Sequence, residues 1–243
     1  MEIIEKIRDA FTTYKEKLSD ILSFQLLYAG IVAIIGAIFG ILLSAAFLPT
    51  SIVPSKPERI SDVIKLFSDF FNQVITGLTS PATVLILVAL AFVCLYLKLF
   101  LLAAYKDIKE GINIGKAIDE SYDAYLYAIF YLIIIGIIYG VVGKILLLIP
   151  VIGNLLFNLF ALWALSTVFL PLYDVIERKN TIEAVRFTFS KRNMRRGPIY
   201  LGILITFGVL LLFSVQFFIV GIALSLFVFT PLTALIGWNL YRE

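Results

Sequence analysis

Lys191, Arg192, Arg195 and Arg196 place four positive charges within six residues, a density suited to phosphate-bearing anionic lipid headgroups or to an acidic partner. Such a cluster is also a topological signal, because basic loops are retained on the cytoplasmic side of a membrane. Both readings stand on the sequence. Two acids, Asp107 and Asp174, each follow a long apolar run, where negative charge opposes the dipole of a helix C-terminus. A nearby cation must compensate. Lys116 and Arg186 are the basic residues placed to do so, as ion pairs locking successive repeats together, with Arg192 a further candidate and proton relay the alternative. Deeper in the apolar runs only Lys98 and Lys144 are ionisable, each close enough to a span end to extend its ammonium toward water. Histidine is absent, Cys94 is the single cysteine, and no Gly-rich phosphate loop, Ser/His arrangement or paired intramembrane carboxylates occur. The expectation is a protein with no catalytic residues, no metal and no cofactor.

The elements that must hold these residues are set by composition. The 243-residue chain is 61% hydrophobic and only 15% charged, against about 25% charged in soluble domains. Its apolar residues come in unbroken runs rather than in stripes, which is the signature of spanning helices. A hydrocarbon core about 30 Å thick needs about 20 helical residues. The runs then give six spans: Phe24–Leu48, Thr83–Ala104, Tyr127–Leu148, Leu155–Tyr173, Pro198–Phe217 and Ile219–Tyr241. The turn Ile149–Asn154 carries Pro and Gly, whereas the turn near Gln216–Gly221 has almost no polar chemistry. With the N-terminus inside, sixteen Lys and Arg fall on the cytoplasmic side and four outside, so both termini are expected in the cytoplasm of a cell-membrane protein. The partners to expect are membrane lipids, anionic ones included, and a second copy or another membrane subunit, with no nucleic acid.

Between the spans lie amphipathic stretches. Asn180 is expected to cap a helix with Glu183 reaching back to the cap's amide, and Ile182, Val185 and Phe189 share one face of that helix with Arg186 opposite. Ile3–Leu22 and Asn113–Tyr122 follow the same plan, and Ile60–Val74 forms a fourth such stretch in the loop after the first span. Each of the first three leads into an odd-numbered span, so the predicted unit is an interfacial elbow helix, a span and a return span. Asp107–Tyr122 and Asp174–Phe189 share Asp, Glu, Asn and Ala at matching places, and "FLPL" at Phe169–Leu172 recurs as "FTPL" at Phe229–Leu232. The fold class expected is therefore all-α: a single polytopic bundle, 1–243, of three divergent two-span repeats, approximately 1–105, 106–173 and 174–243. Gly36 with Gly40, and Gly136 with Gly140, have the spacing that lets helix backbones approach closely, within the bundle or against another subunit.

The stretch "FLPLYDVIERKNTIEAVRFTFSKRN" resembles a pattern found in a broad group of bacterial and archaeal multi-pass proteins related to the membrane domain of glycerophosphoryl diester phosphodiesterases. There a span ends in a Pro-containing turn, followed by an acid, a polar linker, an alanine-bearing amphipathic helix and a basic cluster, matched here by Pro171, Glu177, Ala184 and Lys191–Arg196. The resemblance covers about thirty residues and the six-span layout. It implies a membrane module without the soluble catalytic barrel. The functional expectation is a non-enzymatic accessory, scaffold or lipid-organising module. A small transporter or channel, or the membrane subunit of a lipid-acting enzyme, are the alternatives.

Overall fold

A computed structural model describes residues 2–47, 80–150, 152–214 and 218–242; the amphipathic stretch Ile60–Val74 and the residue Gln216 lie outside them. Among the described residues every regular element is helical: α1 (Glu2–Glu16), α2 (Leu18–Phe47), α3 (Pro81–Lys106), a 3₁₀ turn (Ile108–Glu110), α4 (Ile114–Leu147), α5 (Gly153–Val168), α6 (Pro171–Arg178), α7 (Thr181–Thr188), α8 (Lys191–Ser214), α9 (Phe218–Leu224), a π-helical turn (Ser225–Phe229) and α10 (Thr230–Tyr241). Five segments are long and apolar enough to cross a bilayer: Leu18–Ser44, Pro81–Lys106, Ile114–Leu147, Gly153–Arg178 and Gly221–Tyr241. The chain is thus a helical, multi-pass membrane protein.

The elbows differ in how far they separate from their spans. Asn113 accepts the Lys116 N–H at 3.0 Å and starts α4, which then runs without a break for 34 residues. The elbow expected at Asn113–Tyr122 and the following span are one helix. Between α1 and α2 only Lys17 intervenes, and its N–H still bonds the Thr13 carbonyl at 3.0 Å. Only α7 is set off, by Phe189 and Ser190. The Ser190 hydroxyl accepts the Asn193 N–H at 3.2 Å at the start of α8.

Pro171–Phe189 holds two short helices, the second of which starts at the cap expected at Asn180. Lys179, at φ 49°, ends α6, and the Asn180 carboxamide oxygen accepts the N–H groups of Ile182 and Glu183 at 2.9 and 3.3 Å. The capping is one-sided. Glu183 turns its carboxylate to Arg186 at 3.0 Å and Arg178 at 3.9 Å instead of reaching back to the cap, because two cations offer stronger partners than one neutral amide.

The described residues fall into two compact units, 28–95 and the remainder of the chain. In the 28–95 unit, Ser80 caps α3 by accepting the Thr83 N–H at 3.2 Å, with Pro81 at the first helical position. Its apolar side chains, Ile34, Ile38, Ile41 and Leu85 among them, are exposed, as lipid-facing residues are. In the other unit the core gathers at three helix ends: Leu99–Tyr105 of α3, Leu170–Ile176 around the start of α6, and Leu232–Ile236 with Trp238, Leu240 and Tyr241 of α10. Small residues of the elbows, Ala10, Ala117, Ser121, Ala184 and Thr188, are buried around it. Lipid is as apolar as leucine, so apolar burial drives helix association weakly in a bilayer; close packing and hydrogen bonds must do it. Gly237 sits against the Tyr173 ring and Gly197 against the Ser166 carbonyl, each where a Cβ would collide. The glycine pairs expected at packing seams behave differently. Gly36, Gly40, Gly136 and Gly140 have no other described atom of their own unit within 4 Å of a Cβ; among the described residues the close approaches are at Gly153, Gly197 and Gly237, with Gly143 tight against the Phe157 ring.

Candidate functional site

At the C-terminal end of α3 the chain turns through the 3₁₀ segment, and Gly111, at φ 101°, takes a backbone conformation that a side chain would strain. The turn brings the Lys116 Nζ to 2.6 Å from Asp107 Oδ2. These two residues belong to one segment, so their pair closes a local turn and does not bridge repeats. The reach across elements comes from other groups. Lys106 lies 3.3 Å from Glu120 and 3.6 Å from Glu177, while Arg242 lies 3.5 Å from Asp107 and donates to the Lys106 carbonyl at 2.7 Å. Burial pushes the Asp107 carboxyl up, but the Lys116 hydrogen bond and charge, with Lys106 and Arg242 behind them, outweigh it and hold the group below the usual carboxylate range. A cavity of about 160 Å³ opens beside this turn, lined by Asp107, Glu110, Asn113 and Lys116.

Asp174 occupies a different environment. It lies in the first turn of α6 rather than beyond a helix C-terminus, and it is 1% exposed. Its Oδ1 receives Arg178 Nε at 3.0 Å and the Tyr241 hydroxyl at 2.8 Å. Arg186, the partner expected from the sequence, bonds Glu183 on its own helix at 3.0 Å. Arg178 stands one turn after Asp174, whereas Arg186 belongs to the outward face of α7, which it shares with Ile182 and Phe189 instead of lying opposite them as the sequence led one to expect, because four residues advance a helix by only about 40° beyond a full turn. Around the acid the aromatic rings close up. Tyr173 meets Trp238 edge-on at 4.9 Å, the Arg192 guanidinium lies 5.7 Å from the Phe187 ring and 5.8 Å from that of Tyr241, and Trp238 donates to the Leu102 carbonyl at 2.8 Å. The Tyr173 and Tyr200 hydroxyls are 2.9 Å apart.

The two prolines of the FLPL and FTPL segments explain much of the remaining polar chemistry. Proline has no N–H, so it leaves the carbonyl four residues earlier without its helical donor. For Pro171 that carbonyl is Thr167, and the Asn193 side-chain amide donates to it at 2.8 Å. The next helical bonds tighten, with Leu172 bonding Phe169 and Tyr173 bonding Leu170, and the Tyr131 hydroxyl takes up the Val168 carbonyl at 3.2 Å. For Pro231 the freed carbonyl is Phe227, and the Tyr14 hydroxyl of α1 donates to it at 2.7 Å. Unmade bonds of this kind cost several kcal/mol in hydrocarbon, by order of magnitude, so these donors hold the helices at their bends.

The basic cluster divides. Arg192 turns toward the two rings, and Arg196 donates to the Leu240 carbonyl at 2.7 Å. Lys191 and Arg195 are exposed, so of the four residues only these two face outward. Asn193, Tyr241 and Trp238 carry central bonds that the sequence reading did not single out. The signal available for Asn193 was the proline itself, which demands a donor from elsewhere in the chain. Comparison with protein-family models, with curated proteins and with solved structures finds no match to this chain.

Proposed function

We propose that the chain is a non-catalytic structural module of the cell membrane, with α8 as its fifth span, α9 through α10 as its sixth and both termini in the cytoplasm. In this reading it is an accessory or scaffold element that organises lipid or a partner subunit, in the manner that its resemblance to the membrane domain of glycerophosphoryl diester phosphodiesterases implies. The observation that carries the reading is the use made of the carbonyls freed at Pro171 and Pro231. Transporters open their helices so that bare carbonyls coordinate solute or ion. Here the carbonyls of Thr167, Val168 and Phe227 are taken by Asn193, Tyr131 and Tyr14, which supports a rigid, closed interior. The buried Asp174 supports it too, since its carboxylate is engaged by the exposed Arg178 of its own helix and by the Tyr241 hydroxyl, which holds α6 to α10.

The test is reconstitution of the full chain into liposomes loaded with a pH dye and a panel of small solutes, beside native mass spectrometry of the same preparation. The expected result is leakage equal to that of empty vesicles, with lipid or a membrane subunit co-purifying. Saturable solute or proton flux would replace the scaffold with a transporter.

A further inference from the structure

Resting on the scaffold reading, and deepening it, we infer that two elbows carry matching outward stripes that bind the anionic headgroup layer: Ile4, Arg8 and Phe11 of α1, and Ile182, Arg186 and Phe189 at α7. At 100° per residue, positions i, i+4 and i+7 fall within an arc of about 60° on a helix. All six residues are exposed, Ile4 at 73% and Ile182 at 63%. The stretches that hold them, "IEKIRDAF" and "IEAVRFTF", agree at Ile, Glu, Arg and Phe. Both present the same opposite face to the protein, for Ala10 and Thr188, immediately before each phenylalanine, are fully buried.

Docking of α1 fixes which way its stripe points. The Tyr14 hydroxyl bonds Phe227, Lys6 Nζ donates to the Arg242 carbonyl at 3.0 Å, and the Asn239 amide donates to the Lys6 carbonyl at 3.1 Å. With that face held, Ile4, Arg8, Phe11 and Lys15 look away from the protein, and the exposed Leu18, Leu22 and Leu26 carry the same apolar surface into the span Leu18–Ser44. Charge is sorted around the helix. The outward arc carries only the bases Arg8 and Lys15, while Glu5, Asp9 and Glu16 gather on the neighbouring arc, about 100–140° away from Ile4. A surface facing plain water has no reason to separate its signs this way. A surface half in acyl chains and half among phosphates does, because apolar groups insert and cations pair with anionic lipid. At α7, Arg186 keeps 73% of its side chain exposed while bonding Glu183, and the outward Lys191 and Arg195 continue the positive surface. The corresponding place in α4 makes a natural contrast. There a buried Ser121 precedes an exposed Tyr122, but Asp119 stands where the others have arginine.

The experiment uses the full chain with Cys94→Ala and one further substitution, Phe11→Cys, Phe189→Cys or Tyr122→Cys, carrying a fluorophore. Each is placed in bilayers of phosphatidylcholine mixed with phosphatidylglycerol, and quenching by headgroup-spin-labelled phosphatidylglycerol is compared with quenching by equally labelled phosphatidylcholine. The expected result is a several-fold preference for phosphatidylglycerol at positions 11 and 189, none at 122, and loss of the preference with Arg8→Gln or Arg186→Gln at the matching site. Each neutralised arginine should weaken the contact about fivefold. Equal quenching by the two lipids would reduce the stripes to apolar insertion and overturn the inference. Fluorophores that report water in every bilayer and are shielded only by an added protein would overturn it in favour of a protein partner. Solute flux in the same vesicles would sink the scaffold reading while leaving a lipid preference standing, so the two failures are distinguishable.

Discussion

The side-chain amide of Asn193 donates at 2.8 Å to the carbonyl of Thr167, the acceptor that Pro171 leaves without its helical donor. The two residues are 26 apart in sequence, so one hydrogen bond ties the bend between α5 and α6 to the start of α8. Asn193→Ala should lower stability by about 1–2 kcal/mol, since it also removes the bond to the Thr188 carbonyl. Adding Pro171→Ala should recover part of the loss by restoring an N–H for Thr167. Equilibrium unfolding of the four proteins of this cycle in mixed micelles measures the coupling, and additive effects would show that the proline and the amide act separately.

Gly237 faces the Tyr173 ring with no room for a methyl group. Gly237→Ala must displace a ring that bonds Tyr200 and packs on Trp238, and an overpacked site of this kind costs about 1–3 kcal/mol. Gly140→Ala, whose Cβ meets nothing within 4 Å, is the matched control. Thermal unfolding in detergent should show a lowered midpoint for the first variant and an unchanged one for the second.

Asp107 gives the charged layer a defined acid response. Its carboxyl is held below its ordinary value in the folded chain, so the folded state binds its proton more weakly than the unfolded state does. The stabilisation is complete above the unfolded carboxylate pKa and is lost as pH falls through the lower, folded one. Asp107→Asn should flatten this part of the acid unfolding curve while leaving behaviour at neutral pH less stable than the parent. A variant that keeps the parent's acid slope would assign the response to other carboxylates.

The distribution of basic residues predicts a topology that labelling can test. Cysteines introduced by Leu148→Cys, in the exposed turn between α4 and α5, and by Lys179→Cys, between α6 and α7, in a Cys94→Ala background should react with an impermeant reagent from opposite sides. Reaction of Lys179→Cys from the cytoplasmic side agrees with the positive-inside count, and reaction of both from one side would remove the span between them.

The apolar runs made the helical, multi-span character legible, because a bilayer admits few other solutions for so much uncharged sequence. Asp107 and Lys116, nine residues apart, are near enough for a single turn to join them. The environment of Asp174 was not legible. Its partners are Arg178, one turn away, and Tyr241, 67 residues on, and counting charges near a span end says nothing about which helix end returns to that point. The elbows were legible as amphipathic but not in their division of faces. At 100° per residue Ala10, Phe11 and Tyr14 fall within an arc of about 100° of α1, yet the fold buries Ala10, bonds Tyr14 to Phe227 and leaves Phe11 outside, a choice made by the neighbouring helix. The break inside Pro171–Phe189 was legible in part: Asn180 announced the cap of α7, whereas the positive φ of Lys179 that ends α6 is signalled by no residue type there.

The π-helical turn Ser225–Phe229 closes on itself when the Thr230 N–H bonds the Ser225 carbonyl five residues back, with the Thr230 hydroxyl on the same oxygen at 2.7 Å. Such a turn accommodates one residue more than an α-helical turn, so it amounts to a single-residue insertion absorbed within a helix. The helical residues that run into it, Phe218–Leu224, are rotated by about 100° from where an unbroken α-helix continued back from α10 would put them. The segment before Ser225 and the core-forming segment after it are therefore free to diverge. Deleting one residue within the turn would rotate Phe218–Leu224 to offer another side to the bilayer while Trp238 and Tyr241 kept their places, which makes this turn the point at which descendants of the sequence can re-aim their last span without rebuilding the interior.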